Sequence, residues 1–230
     1  KSMGDIFRKA GIPFVHLDEN KSICCGRPLK IAGKNRQAME LMENNRRMIL
    51  QSQARLLVTS CPICYRVFKE EYNLPIRVVH HTQFLTDLIR NGTVPLQSAF
   101  KKVVYHDPCD LGRGAGVYDP PREALSKVAD VLSIDHERED ALCCGGSLGL
   151  LNASSQQRGE ITRQALTSLT HPNPDLIVTA CPLCKKTFAG QSAIPVKDIA
   201  EVINEAIPAT SSLPFSGHSH PAESCGGGSI

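Results

Sequence analysis

The chain has 230 residues, and 26 lysines and arginines against 23 aspartates and glutamates leave a formal charge of only +3. Positive and negative side chains are interspersed and aromatic residues make up only 5% of the chain, so no surface for nucleic acid is indicated. No apolar run in the sequence reaches the roughly 20 residues that a membrane-spanning helix needs.

The first half of the chain predicts alternating helices and strands. It opens in a helical pattern, SMGDIFRKAGI, without an initiator methionine, and we interpret the chain as a fragment of a longer protein. A strand over 12–17, a helix over 34–54 and a strand over 56–60 follow. The Cys-Pro-Ile-Cys segment then opens a short helix, before a strand over 76–79 and a helix over 82–90.

The second half predicts the same order with an additional strand, 101–109, which ends at a cysteine. A helix from about Pro121, a helix over 155–169, a strand over 176–180, a helix opened by Cys-Pro-Leu-Cys and a closing stretch over 196–207 follow. Strands that alternate with helices predict an α/β fold with parallel sheets and helices on their faces.

Two phrases of the sequence are nearly the same: VTSCPICYRVF at 58–68 recurs as VTACPLCKKTF at 178–188. The Cys24-Cys25-Gly26 segment likewise recurs as Cys143-Cys144-Gly145. The sequence therefore predicts two pseudo-symmetric parallel-sheet units, over 1–95 and 96–207, with a truncated first unit. Residues 208–230 predict a disordered tail, and we assign no role to its Cys225, His218 and His220.

The chain contains ten cysteines, although its long helices and apolar strands need no disulfide staples. This combination indicates a reducing compartment and a metal. In parallel sheets ligands bind at the carboxyl ends of strands, where Cys61, Cys109 and Cys181 are expected. A proline at the first helical position of each Cys-x-x-Cys helix places the leading cysteine at a helix N-terminus, which favours its thiolate.

The second unit carries more cysteines than one zinc ion accepts. Its five candidate ligands are Cys109, Cys143, Cys144, Cys181 and Cys184. A structural zinc takes four ligands, whereas a polynuclear iron–sulfur cluster accommodates a fifth thiolate and two adjacent cysteines. A zinc site and a metal-free dithiol relay stay open as alternatives.

The first unit has four visible candidate ligands, Cys24, Cys25, Cys61 and Cys64. The repeat predicts a fifth cysteine upstream of Lys1. A cluster, a zinc ion or no metal are therefore the alternatives at this site.

The order of Cys, Cys-Cys-Gly and Cys-x-x-Cys, written twice, resembles the cysteine-rich CCG domain of the heterodisulfide reductase catalytic subunit. The domain also occurs in iron–sulfur subunits of glycolate oxidase, lactate-utilisation proteins and anaerobic glycerol-3-phosphate dehydrogenase. The phrase VVYHDPCDLGRG looks like a signature of this family, from which it departs at Asp110. The resemblance implies one non-cubane 4Fe-4S cluster per complete motif, held by the nine cysteines named above at the strand ends.

The same resemblance implies an iron–sulfur oxidoreductase subunit of heterodisulfide-reductase type. It would pass electrons between the flavin or iron–sulfur centres of a partner subunit and a disulfide or a quinone-linked acceptor. The alternatives are an electron-transfer subunit of a glycolate, lactate or glycerol-3-phosphate dehydrogenase complex and a zinc-stabilised scaffold without redox activity. We expect a cytoplasmic location. Attachment to the inner face of the membrane, through a partner or a missing segment, stays open.

Several other residues lie near the predicted cysteine sites. His106 is a candidate catalytic proton donor, with a hydrogen-bonding role in holding the loop as the alternative. We expect structural roles for His80 and His81. Arg27, Arg113 and Lys185 are candidates to offset thiolate charge, and Gly26, Gly145 and Gly146 to permit tight turns. The sequence contains no GxGxxG or phosphate-binding loop, so we expect no flavin or nucleotide site in this chain.

Overall fold

The computed structural model describes residues 1–17, 24–98, 101–147 and 152–208. The predicted tail beyond Pro208, with Cys225, His218 and His220, lies outside these residues. Within them the chain forms an α/β fold with parallel sheets and helices, as the alternation of strands and helices predicted.

Two parallel sheets organise the fold. The smaller sheet pairs β1 (Leu56–Thr59) with β2 (Arg77–His80), in a register that sets Val58 beside Val79. The larger sheet has the strand order β4-β3-β5-β6, and all neighbouring strands in it are parallel. Its strands are β3 (Lys102–His106), β4 (Asp130–Leu132), β5 (Leu176–Thr179) and β6 (Val196–Asp198).

Ten α-helices lie in the part of the chain that the structure describes. In chain order they are α1 (Ser2–Lys9), α2 (Arg27–Ile31), α3 (Asn35–Gln51), α4 (Pro62–Glu70), α5 (His81–Arg90), α6 (Gly112–Ala115), α7 (Asp119–Ser126), α8 (Ser155–Thr170), α9 (Pro182–Ala189) and α10 (Ile199–Ala206). A short 3-10 helix covers Arg138–Asp140. None of the helices in the described ranges has the length and apolar character required to cross a membrane.

Local sequence explains where the helices begin. Helices α4 and α9 each start with a proline, whose fixed φ suits the first helical turn and whose missing N–H needs no partner there. Capping boxes, in which side chains satisfy the first free N–H groups, begin three other helices. Their pairs are His80 with Gln83 for α5, Ser154 with Gln157 for α8 and Asp198 with Glu201 for α10.

Three elements of the first half recur at a constant spacing in the second half. Helix α3, strand β1 and helix α4 begin at Asn35, Leu56 and Pro62, and α8, β5 and α9 begin at Ser155, Leu176 and Pro182, each 120 positions later. Each strand is followed by a cysteine and a proline-initiated helix. The repeated sequence therefore corresponds to repeated local structure.

The strand predicted over 12–17 was wrong. Residues 12–16 form no hydrogen-bonded strand, and the side chain of Val15 is 65% exposed. Pro13 lacks a backbone donor, and an extended segment becomes a strand only when a neighbouring strand pairs with it. The closing stretch over 196–207 contains both the edge strand β6 and the helix α10.

The two faces of the larger sheet pack into different apolar clusters, because successive side chains of a strand point to opposite faces. Val103 and Val178 belong to the main core, which also contains Ile6 and Leu85 of the first half. The two halves of the chain thus share one core. Val104 and Ile177 face a second cluster, whose members include three cysteines, Cys144, Cys181 and Cys184.

Candidate metal centre

The cysteines of both Cys-x-x-Cys motifs lie where a strand gives way to a helix. Cys61 follows β1 and is the N-cap of α4, and Cys181 follows β5 and is the N-cap of α9. Both residues have extended backbone, at φ −100° and −142°. Hydrogen bonding to the second cysteine of each motif, Cys64 or Cys184, lowers the thiol pKa of each most, and backbone N–H groups of the following helix lower it further.

Both Cys-Cys-Gly segments form the same tight turn. Gly26 has a φ of +94° and Gly145 a φ of +81°, a region that residues with a Cβ rarely adopt. The N–H of Gly26 donates to Sγ of Cys24 and that of Gly145 to Sγ of Cys143, both over 3.4 Å. The predicted turn role of these two glycines is confirmed, and the turn presents N–H groups to the sulfur atoms.

Side chains of the long helices α3 and α8, together with Tyr72, donate hydrogen bonds to backbone carbonyls of these turns. In the first half, Nδ2 of the buried Asn45 on α3 donates to the carbonyl of Cys24 over 2.8 Å. The Tyr72 hydroxyl donates to the carbonyl of Cys25 over 3.1 Å, and burial raises the pKa of that hydroxyl to about 12. In the second half, the hydroxyl of Thr162 on α8 donates to the carbonyl of Cys144 over 2.9 Å.

All five candidate ligands of the second half converge. We call Cys109, Cys143, Cys144, Cys181 and Cys184 the second cysteine group. Their thiols lie close enough to shift one another's pKa: Cys109 and Cys144 act on Cys143, and Cys184 acts on Cys144 and Cys181.

These contacts divide the second group into thiolates and thiols. Hydrogen bonds from Cys109 and Cys144 lower the pKa of Cys143 to about 2, and the hydrogen bond from Cys184 lowers that of Cys181. Donation to Cys143 raises the pKa of Cys144 to about 12, and that of Cys109 also rises. Without a cation, sulfur atoms packed this closely cannot all ionise.

The first half brings three of its four cysteines together. Hydrogen bonding to the nearby Cys64 thiol is the largest effect that lowers the pKa of Cys25 to about 6 and that of Cys61 to about 7. Cys24 is exposed and lies next to this trio, close enough for its charge to influence Tyr72. We call these four residues the first cysteine group.

His106 lies at the end of β3 against the second group. A ring nitrogen of His106 and the sulfur atoms of Cys144 and Cys184 lie within 4.8 Å of one another. Nε2 of His106 is buried without a hydrogen-bond partner, and burial lowers the pKa of the ring to about 4. A neutral imidazole with a free nitrogen beside several thiols fits a metal ion or cluster, since soft thiolates and imidazole are its usual protein ligands.

The two groups lie close enough to influence each other. Hydrogen bonding to Cys184 has the largest effect on Cys181 and lowers its pKa. A negative charge on Cys61, in the first group, acts in the opposite direction and raises the pKa of Cys181. The buried ring of His80 accepts the N–H of Thr82 at Nδ1, so Nε2 carries the proton. Nε2 then donates to the carbonyl of Ser60 over 3.3 Å, and the ring also contacts the carbonyl of Ala180. His80 thus bridges the residues that precede Cys61 and Cys181, and it caps α5.

The basic residues that the sequence singled out have different surroundings. Arg27 lowers the pKa of Cys25 through its positive charge, after the larger effect of the hydrogen bond from Cys64. Arg113 donates to the carbonyls of Glu139 and Ala141 over 2.8 Å each, and so holds the segment before Cys143. Lys185 forms a salt bridge with Glu201.

Sequence reasoning missed the partners of three residues near the two groups. Asp107 pairs with Arg122, His81 lies 3.2 Å from Asp198, and Asp110 contacts Arg66. Only the HDPC segment, which contains Asp107, indicated from local sequence that a member of one of these pairs lies near a cysteine. The partners are 15, 117 and 44 positions apart, from 107 to 122, 81 to 198 and 66 to 110, so the fold brings them together.

Comparisons with known proteins agree with this arrangement. A subunit of the dihydromethanophenazine:CoB–CoM heterodisulfide reductase of Methanosarcina barkeri is 31% identical over 88% of this chain and 53% of its own length. A probable iron-sulfur-binding oxidoreductase, FadF, of Bacillus subtilis is 29% identical over 90% of this chain and 31% of its own. The EtfAB:quinone oxidoreductase of Syntrophomonas wolfei is 29% identical over 88% of this chain and 31% of its own. The chain spans about half the length of the first of these relatives and less of the others.

The cysteine-rich domain named CCG matches residues 1–69 and 103–189. Each matched stretch contains one Cys-Cys-Gly and one Cys-x-x-Cys motif. Because the match extends over more than half of the chain, the chain belongs to the CCG cysteine-rich domain family.

Proposed function

We propose that this chain is an iron–sulfur oxidoreductase subunit of heterodisulfide-reductase type. The observation that carries the proposal is the second cysteine group, whose five thiols lie close enough to shift one another's pKa, with Cys144, Cys181 and Cys184 buried. A tetrahedral zinc ion would leave at least one of five thiols without a metal. A polynuclear cluster offers each sulfur an iron, and thiolate ligation is what such clusters use.

The proposed cofactor is a 4Fe-4S cluster, of the non-cubane type by resemblance, held by Cys109, Cys143, Cys144, Cys181 and Cys184. When bound, it supplies one-electron transfer. The chain's own residues orient the ligands and moderate their charge. The N–H groups of Gly145 and Gly146 donate to Sγ of Cys143 and Cys144 over 3.4 Å, which stabilises negative charge on sulfur.

His106 has two proposed roles at this site. One of its ring nitrogens lies close to Cys144 and Cys184, and its Nε2 has no hydrogen-bond partner, so the ring is suited to bind metal or to form a hydrogen bond to a ligand. Its role as a proton donor stays a prediction. A proton donor near neutral pH needs a ring pKa above the value of about 4 that burial gives His106. Negative charge on the sulfur atoms raises that pKa, as the charge of Cys143 already does.

The first cysteine group is proposed as a second cluster site. Cys25, Cys61 and Cys64 share protons as the second group does, and Cys24 completes the motif. Zinc is the alternative for this site, since four thiolates satisfy a tetrahedral ion.

The two groups are proposed to belong to two pseudo-symmetric units, over 1–95 and 96–207, with each cluster at the carboxyl ends of parallel strands. Support comes from the two matched stretches, 1–69 and 103–189, and from α3, β1 and α4, which recur as α8, β5 and α9. The electrostatic effect of Cys61 on Cys181 supports close spacing of the two clusters.

The proposed partners are a flavin- or iron–sulfur-containing subunit as electron donor and a disulfide or quinone-linked acceptor. The names of the relatives supply both acceptor classes, a heterodisulfide and a quinone. Reduction of a disulfide consumes two electrons from the partner and two protons from solvent, and yields two thiols. Because all nine described cysteines are free thiols, we propose a reducing, cytoplasmic location.

A spectroscopic titration tests the disulfide reaction. The anaerobically purified chain is reduced with dithionite, freed of excess reductant, and titrated with 2-hydroxyethyl disulfide or with a short-chain quinone. We expect the disulfide to reoxidise the chain and to change its visible and paramagnetic spectra. Reoxidation by the quinone alone would assign the chain to the electron-transfer alternative, and a colourless chain with zinc would overturn the redox function.

A further inference from the structure

Two arginines and one aspartate join the first cysteine group to the second. Oδ1 of Asp110 lies 3.1 Å from Nη1 of Arg66 and 3.9 Å from Nη2 of Arg27. Arg27 follows the first Cys-Cys-Gly turn, Arg66 comes two residues after Cys64, and Asp110 follows Cys109. The carboxylate comes from the second half of the chain and both guanidinium groups come from the first.

The neighbouring backbone makes room for this contact. A Cβ added to Gly114 would lie 2.9 Å from Nη1 of Arg66, a distance that forces one of the two to move. Nε of Arg66 is buried and has no hydrogen-bond partner, although Oε1 of Glu70 lies 3.5 Å away. Arg66 is thus positioned next to Asp110 with unused hydrogen-bonding capacity.

Solvent still reaches the three side chains. The exposed fractions of the side chains of Arg27, Arg66 and Asp110 are 36%, 27% and 17%. Among the residues that the structure describes, the acidic groups paired with the two guanidinium groups are Asp110 and the half-exposed Glu70. Since Glu70 is largely solvated, Asp110 is the main counter-charge at this junction.

We propose that Arg27 and Arg66 form a subsite for a small carboxylate at the junction of the two cysteine groups, and that Asp110 occupies it with its own carboxylate. The consequence for specificity rests on the proposed function. In the wild type Asp110 fills the anion site, so an anionic disulfide that reaches the cysteine groups here cannot pair with the two arginines and has no advantage over an uncharged one. Asp110 is therefore a specificity-determining residue.

The subsite is tested without any metal or acceptor. Asp110→Ala removes the carboxylate and leaves both arginines, so free acetate can take its place. The full chain and the variant are unfolded thermally in acetate and in acetamide at equal ionic strength. We expect acetate to raise the midpoint of Asp110→Ala by a few degrees relative to acetamide, and to leave that of the wild type unchanged.

Matched variants make the result specific. Asp119→Ala removes a surface carboxylate that pairs with Arg138 over 2.8 Å, and we expect no preference for acetate there. Adding Arg66→Gln to Asp110→Ala abolishes the acetate effect. If Asp110→Ala does not fold, Asp110→Ser replaces it in every comparison. Equal responses to acetate and acetamide, or a wild type that responds as the variant does, overturn the subsite.

The specificity role is tested with the reduced, cluster-loaded chain. Its rate of reoxidation is compared for uncharged 2-hydroxyethyl disulfide and doubly negative 3,3′-dithiodipropionate. The wild type is expected to react with both disulfides at similar rates, and Asp110→Ala to shift the ratio about tenfold towards the anionic disulfide, with Asp119→Ala unchanged. An unchanged ratio in Asp110→Ala overturns the specificity role. If neither disulfide reacts with the wild type, the proposed disulfide reaction fails, while the acetate result still decides the subsite.

Discussion

The carboxylate of Asp107 and the guanidinium of Arg122 form a bidentate salt bridge, with Oδ1–Nη1 and Oδ2–Nη2 both at 2.7 Å. Asp107 is only 3% exposed and also accepts the N–H of Arg138 over 2.9 Å. It lies between His106 and the Pro108-Cys109 segment. The pair therefore connects the end of β3, helix α7 and the segment before the Cys-Cys-Gly turn, and so supports the second cysteine group from outside.

Asp107→Asn is expected to lower the free energy of unfolding by about 2–4 kcal/mol, because it removes the bidentate partner of the partly buried Arg122 and leaves only the 3.3 Å contact with Glu137. Urea unfolding of the metal-free chain measures this loss. The matched variant Asp119→Asn breaks the exposed pair with Arg138, and its cost should stay below about 1 kcal/mol. Equal costs for the two variants would show that the buried pair is not a support of the site.

Gly145→Ala is expected to destabilise the chain by about 2 kcal/mol or more, for two reasons. The φ of +81° strains a residue with a Cβ, and that Cβ would lie 2.9 Å from the carbonyl oxygen of Arg158. Gly116→Ala is the control, since Gly116 has a φ of +68° and open space around its Cβ position. It should cost only the strain, about 1 kcal/mol. A Gly145→Ala variant as stable as Gly116→Ala would contradict the close approach.

Cys61 and Cys64 should differ in reactivity towards iodoacetamide in the metal-free chain. The hydrogen bond from Cys64 and the N–H groups of the α4 terminus lower the pKa of Cys61 to about 7, while donation raises that of Cys64. Only the thiolate reacts, so alkylation of Cys61 rises with pH and reaches half its maximum near pH 7. Cys64 should stay slow up to pH 9. Peptide mass spectrometry after timed quenching measures both rates, and equal pH profiles would contradict the shared-proton arrangement.

His80 should contribute to stability both as a helix cap and as a bridge between Ser60 and Ala180. Asn is a good N-cap but is too short to replace the ring, so His80→Asn is expected to lose about 1–2 kcal/mol of unfolding free energy. His80→Ala loses the cap as well and should cost about 1 kcal/mol more. Chemical unfolding separates the two variants. A His80→Asn variant as stable as the wild type would show that the bridge contributes nothing.

Strands and helices near the cysteines could be predicted from the sequence, because their patterns are local. LLVT and LIVT are short apolar runs that each precede a cysteine and a proline, and they form β1 and β5. The segment over 12–17 has a similar apolar pattern but pairs with no strand. The three residues of β4 were missed because so short an edge strand carries no periodicity.

The contacts between the halves could not be predicted from the sequence. The links from Asp110 to Arg66 and from His81 to Asp198 depend on how the two sheets pack. Asp110 was recognised only as a departure from the family pattern. Its role emerges from two guanidinium groups that come from the other half of the chain.

The most direct test of the central claim is a count of iron and acid-labile sulfide in the anaerobically purified chain. We expect at least about four irons and four sulfides per chain, from the complete second group. Cys144→Ala should lose them, and Cys225→Ala, a change at a cysteine with no assigned role, should retain them. Fewer than about four irons per chain, or stoichiometric zinc in a colourless protein, would contradict a cluster at the second cysteine group.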